Sequence, residues 1–463
     1  MKNTPHIRPA AKSKSGFPTG RSAAQALRLR AGQTLRTMVQ RLPRNGARDW
    51  IENARGQDED TRRSLSSLLA RKGRMQQECP DHIARRLEVP LVTCPPEDAK
   101  RHEVSDHGQF LARQDRWEDL GLLIRQYDRA RAATDTGLPM ADLLAYGARA
   151  DVTAPVERAL SDPGLMPAHA PRSGLAELED VLEEYPGDYG IALVVAHAHI
   201  DIGWAWRGAG WSAEIPARDW KRFKRHFARA SEILDAFDAF AEDSPALAAA
   251  RCALLAAESA PQTRVGDDYE DLIDLDPANP RHMRALGNHL LPRWFGSYGD
   301  LELEARRTAA RTADIWGKGG YTWVYFDALA VDPGALTLMD VDLFLAGMRD
   351  ILERRSDQHT VNMFAAYCAV TQAARRYRHA RQTAAQQQLV AAFRWILSDY
   401  LREVHPLTWG LAAQKPGQDP DPKEIAVKGR NHALARIARH FERDLKRGAR
   451  IVWADTGPMV VGG

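Results

Sequence analysis

Tyr269-Glu-Asp-Leu-Ile-Asp-Leu-Asp276-Pro277-Ala-Asn-Pro280 opens the stretch whose reading decides the fold, and that stretch runs on to Asp327. The residue before a proline is pushed out of the α region by the ring, so Asp276 closes a helix. An apolar-faced helix to Leu291, the aromatic turn Trp294–Tyr298, a helix over Leu301–Trp316 and a second aromatic cluster follow. Helix, stop, helix, turn, helix is the pattern of stacked helical hairpins. The same punctuation recurs at Asp162-Pro163 and Asp332-Pro333.

Composition agrees with a folded chain. The 463 residues are 44% hydrophobic and 27% charged, enough for about three compact domains or one extended array. The net charge of +3 conceals an asymmetry. Residues 1–48 hold eleven Lys and Arg and no Asp or Glu, which leaves 53 basic against 61 acidic residues, a net of −8, for the rest. Residues 1–58 therefore read as a basic, largely disordered tail, with a short amphipathic helix over Ala23–Val39 and a possible role in binding nucleic acid through residues 1–48. Four widely spaced cysteines make no disulfide framework. The most apolar window, Ile191–Trp206, is broken by His197, His199 and Asp201 and is short of the roughly 20 residues that span a bilayer. The expectation is a cytoplasmic protein with no membrane insertion.

Helical periodicity is clear from Trp117 onward. Trp117, Leu120 and Ile124 fall at i, i+3 and i+7, one helical face. Further helices are expected at Tyr189–Arg207, Trp220–Phe237, Pro245–Ser259, Val265–Leu275, His282–Leu291, Leu301–Trp316, Tyr321–Ala330, Leu336–Arg354, Val361–Tyr377 and Ala384–Val404. Residues 414–423 read as a linker, 424–448 as a basic helix and 449–463 as a tail. Sustained period-two alternation is almost absent, so the fold class is all-α with sheet content near zero.

Trp117, Leu120 and Gly121, with Ala133 in the place of a small residue of the second helix, resemble a tetratricopeptide repeat. So do Ile202-Gly203, Tyr269 followed by Pro277, and Leu286-Gly287. The resemblance covers residues 110–335, the clearest repeats of an α-helical repeat domain expected over residues 59–413. The spacing between units departs from the family's constant period of about 34 residues. What the resemblance implies is a superhelical array of antiparallel helix pairs, an α-solenoid, that recruits a protein or peptide partner. The matched positions are packing ones, so no contact residue carries over.

His197-Ala-His199-Ile-Asp201 resembles the metal signature of metallo-β-lactamase-fold hydrolases, which implies a metal-dependent hydrolase as an alternative. On a helix, however, residues two apart point about 200° apart, whereas His197 and Asp201 share a face. Cys79, His82, Cys94 and His102 offer zinc-type ligands at loose spacing. No nucleotide loop or nucleophile elbow occurs, so no cofactor is expected and no catalytic residue is assigned. Gly317-Lys-Gly-Gly320 reads as a helix-ending turn. The remaining candidates are aromatic: Trp294, Phe295 and Tyr298 in one turn, and Trp316, Tyr321, Trp323 and Tyr325 in the next, beside five glycines. They serve an inter-helix core, a partner surface, or both.

Overall fold

The computed structural model describes residues 81–93, 96–161, 172–208, 215–414 and 421–462. The basic segment 1–48, its expected helix at 23–39, Cys79, Cys94 and most of the 414–423 linker lie outside the described residues.

Helices dominate. In chain order they are α1 (Pro96–Arg113), α2 (Trp117–Arg129), α3 (Met140–Ser161), α4 (Arg172–Glu184), α5 (Tyr189–Arg207), α6 (Ala217–Leu234), α7 (Pro245–Leu254) and α8 (Val265–Leu275). They continue with α9 (Pro280–His289), α10 (Tyr298–Arg311), α11 (Gly319–Val331), α12 (Val341–Arg354), α13 (Gln358–Ala366), α14 (Ala380–Trp395), α15 (Pro406–Ala412) and α16 (Pro422–His440). Most pack against the next helix and the next but one, as α3 does on α1, α2 and α5, and α11 on α9, α10 and α12.

Local signals explain the boundaries. Ser244, Asn279, Ser297, Asp340 and Asp357 each accept a backbone N–H in the first turn of the helix that follows, satisfying donors that have no intrahelical partner. The Asp276-Pro277 break falls between α8 and α9, as expected. Ala133 does not lie in a helix. Arg131 has φ 49°, Gly137 has φ 78°, and Ala133 bridges Pro139 in the connection between α2 and α3. The left-handed backbone at Arg131 turns the chain out of the helix just past Arg129, before Ala133 is reached. Where Gly121 stands, a Cβ would lie 2.4 Å from the Asp188 carboxylate, and at Gly287 it would lie 1.7 Å from the Val324 carbonyl oxygen. Helices α9 and α11 touch backbone to backbone there.

Sheet content is small but not absent. β1 (Leu87–Glu88) pairs parallel with β2 (Arg450–Ala454), which pairs antiparallel with β3 (Gly457–Val461). The segment read as a tail is thus a hairpin. Ile451, Val452 and Trp453 favour strand, and Gly457, at φ 118°, admits the turn.

The interior forms two cores. One spans Val104 to Leu254, and the other gathers Val265 to Ile451 together with Leu87, Val89 and, from α7 and the residue after it, Ala248, Cys252 and Leu255. Among the described residues no helix is long and apolar enough to cross a membrane.

Candidate functional site

α5 is apolar on almost every side, which is the pattern of a helix buried all round. Asp188 caps it by accepting the Gly190 and Ile191 amides at 2.8 and 3.3 Å. Within it, His197, Ile200, Asp201 and Trp204 fall at i, i+3, i+4 and i+7, and this face lines a cavity between helices. Four other helices close the cavity with faces of the same period. α3 brings Asp142, Arg149 and Glu157, and α7 brings Ala249, Cys252 and Ala253. α8 brings Tyr269 and Leu272, while α9 brings Arg281, His282, Ala285 and His289.

The polar side of this cavity is held by one buried ion pair. Arg149 Nε donates to Asp201 Oδ2 at 2.7 Å, and the two side chains are 2% and 4% exposed. Arg149 Nη1 is sealed from solvent with no partner among the described residues, and so is His197 Nδ1. Burial, helped by the Arg149 guanidinium, pushes the His197 pKa down to about 3, so the imidazole is neutral. Burial also raises the Asp142 carboxyl, against the pull of His282, Arg149 and Arg281. Nearby, Tyr269 and His289 share a hydrogen bond of 2.9 Å, and His282 Nε2 lies 3.2 Å from Asp276.

His199 belongs to a different face. Its Nε2 lies 2.7 Å from Glu179 Oε1 and its Nδ1 lies 3.0 Å from His226 Nδ1, while Arg229 binds the same Glu179 through Nε and Nη2. The helix therefore brings His197 and Asp201 to one cavity and turns His199 away. Among the described residues no three His, Cys, Asp or Glu side chains are grouped to hold a metal ion.

Across α9 from the cavity, Pro280 and Arg284 border a second concavity, an open groove. Trp316 and Trp323 lie at its floor with Ile351 and Met363. Glu97 fixes its rim by accepting the Thr134 hydroxyl at 2.7 Å and the Thr136 amide at 3.3 Å. The Arg355 guanidinium sits 4.5 Å over the Trp316 ring, whose Nε1 donates to the Pro277 carbonyl at 2.8 Å. Trp323 Nε1 and His405 Nδ1 are sealed here without partners among the described residues. Asp357, His359 and Glu403 complete a rim of mixed charge.

The aromatic candidates separate by burial. Tyr321 and Tyr325 are fully enclosed and donate to Glu302 at 2.6 and 2.8 Å, so packing accounts for both and neither offers a surface to a partner. Burial and that carboxylate keep the two phenols protonated. Trp316 and Trp323 are core residues whose edges reach the groove. Trp294, Phe295 and Tyr298 are half-buried where the two cores meet, with Trp294 on the first and Phe295 on the second. Tyr298 donates to Asp332 at 3.1 Å. Gly317 ends the short helix Ala313–Trp316 at φ 58°, the turn expected of the Gly-Lys-Gly-Gly stretch.

Arg149, Arg284, Arg355, His359 and His405 were not legible as site residues. The one available signal was the seven-residue spacing of Asp142 and Arg149, which any helix face shares. No family model, curated protein or solved structure matches this chain.

Proposed function

We propose that the chain is a helical-repeat binding scaffold, similar in plan to tetratricopeptide arrays, that holds an extended peptide or protein segment in the groove floored by Trp316 and Trp323. The groove carries the reading. It is built from α9, α11, α12, α13 and the loops at 135–137 and 403–405, so no single hairpin forms it. Stacked hairpins that bury a continuous core leave a long concavity of this kind as their working surface. Its apolar floor suits side-chain anchors, and its rim of both charge signs suits a polar backbone and flanking charges. In this reading the helix pairs continue as a superhelix, and residues 1–48 carry a separate electrostatic role.

Thr360 is half-buried in the wall of the groove, and Thr360→Trp would fill the space while keeping the Asp357 cap on the Thr360 amide. Peptides selected on the wild-type protein from a random display library should bind the Thr360→Trp variant at least tenfold more weakly. A Lys428→Glu variant, altered on the exposed face of α16, should bind as wild type does. Equal binding to all three proteins would sink the proposal.

A further inference from the structure

We propose that the cavity beside α5 is a second, separate site that takes a small amphipathic molecule: an apolar body carrying a carboxylate. The body is specified by Ile200, Trp204, Ala249, Ala253 and Leu272, which turn carbon toward the cavity from three helices. The head group is specified by Arg149 and His197. An arginine is a donor only, so the group that completes Arg149 must present acceptor oxygens. Asp201 takes Nε and holds the guanidinium in place, while the ring of Tyr146 lies 5.4 Å from its carbon. Nη1 is left without a partner among the described residues although the side chain is 2% exposed. His197, four residues before Asp201 on the same face, has its ring Nδ1 sealed without a partner among the described residues, and its neutral ring supplies one further N–H. Two buried groups left unsatisfied on the lining of one cavity cost stability that a fold without a ligand has no reason to give up.

A carboxylate offers two acceptor oxygens, enough for both groups. Asp142, Glu157 and Arg281 also face the cavity. Burial moves Asp142 toward its neutral, donating form, which limits repulsion of a bound anion. The site faces away from the groove across α9, so neither occupant needs the other.

Isothermal titration calorimetry on the full chain, with decanoate and decylamine as probes below their micellar range, tests the assignment. Decanoate should bind with one site per chain, and decylamine, equal in its ten carbons but a donor at its head, should bind at least tenfold more weakly. His197→Leu should weaken decanoate about tenfold, the loss of one hydrogen bond to a charged group. Ala253→Phe fills the apolar end and should abolish binding, and thermal melts establish that both variants fold. Thr360→Trp should leave decanoate binding unchanged. No heat with decanoate, equal binding of decylamine, or unchanged binding in a folded Ala253→Phe or His197→Leu protein would each overturn it.

Discussion

A carboxyl group that is 5% exposed must find donors or give up its charge, and Asp128 near the end of α2 does some of both. It accepts the Ser244 hydroxyl and, at 3.0 Å, the Ala246 amide, so a side chain of α2 serves as an extra cap for α7. Burial outweighs these donors and raises its pKa to about 6. The folded state therefore holds a proton that the unfolded state releases near pH 4. Its contribution to stability is full below that pH and is lost as pH rises through about 6. In urea titrations at pH 4 and pH 7, Asp128→Asn should remove on the order of 2–3 kcal/mol of the wild-type fall in stability between the two. Identical pH dependence in wild type and variant would refute the assignment. His226 works in the opposite sense. Burial, with His199 and Arg225 adding to it, lowers its pKa to about 4, so stability is lost as pH falls below the ordinary imidazole range toward 4. His226→Gln should flatten that acid limb of the same titration.

Element packing was legible wherever glycine sat beside a large apolar residue at helical spacing. Leu286-Gly287 and Leu120-Gly121 mark real close approaches, because a missing Cβ is visible in sequence and its consequence is local. At Gly287 the obstructing atom is a carbonyl oxygen of α11, which cannot rotate away as a side chain can. Gly287→Ala should cost about 2–4 kcal/mol of stability, measured by chemical denaturation. Gly187→Ala, with nothing within 4 Å of the new methyl, should change stability by less than about 0.5 kcal/mol. Helix ends set by Asp-Pro were equally readable, since the signal lies within one turn of its effect, whereas Ser297, Asp340 and Asp357 cap helices that start away from the expected Leu301, Leu336 and Val361. The sites were less so. His197 and Asp201 were visible as an i, i+4 pair, yet Asp201 takes its meaning from Arg149, which lies on a different helix. The aromatic residues marked a dense region without separating Tyr321 and Tyr325, sealed on Glu302, from Trp316 and Trp323 at the groove. Burial of that kind is decided by α10, α12 and α13 together, and no local pattern encodes it.

At the scale of the molecule, the division into two cores has a consequence for how damage spreads. β1 precedes the first core in sequence, yet Leu87 and Val89 pack with the second. They do so because Leu87 and Glu88 pair with Ile451 and Val452, the Ile451 amide donates to Arg86 at 2.8 Å, and Arg86 reaches the Leu445 carbonyl at 3.1 Å. The hairpin in turn holds Trp453, whose Nε1 donates to Leu401 at 2.9 Å, and buries Ile451 completely. In an array whose helices touch mainly their neighbours, removing one end should loosen what it touches and little else. A chain ending at Arg447 should therefore lose about 2–5 kcal/mol of stability in the second core, the worth of the buried side chains removed. Hydrogen-exchange mass spectrometry should show faster exchange in residues 81–93 and 380–446, with residues 117–234 unchanged. Equal loss of protection across residues 117–234 would mean that the two cores unfold as one unit, and the proposed repeat-like plan would have to give way to a single cooperative domain.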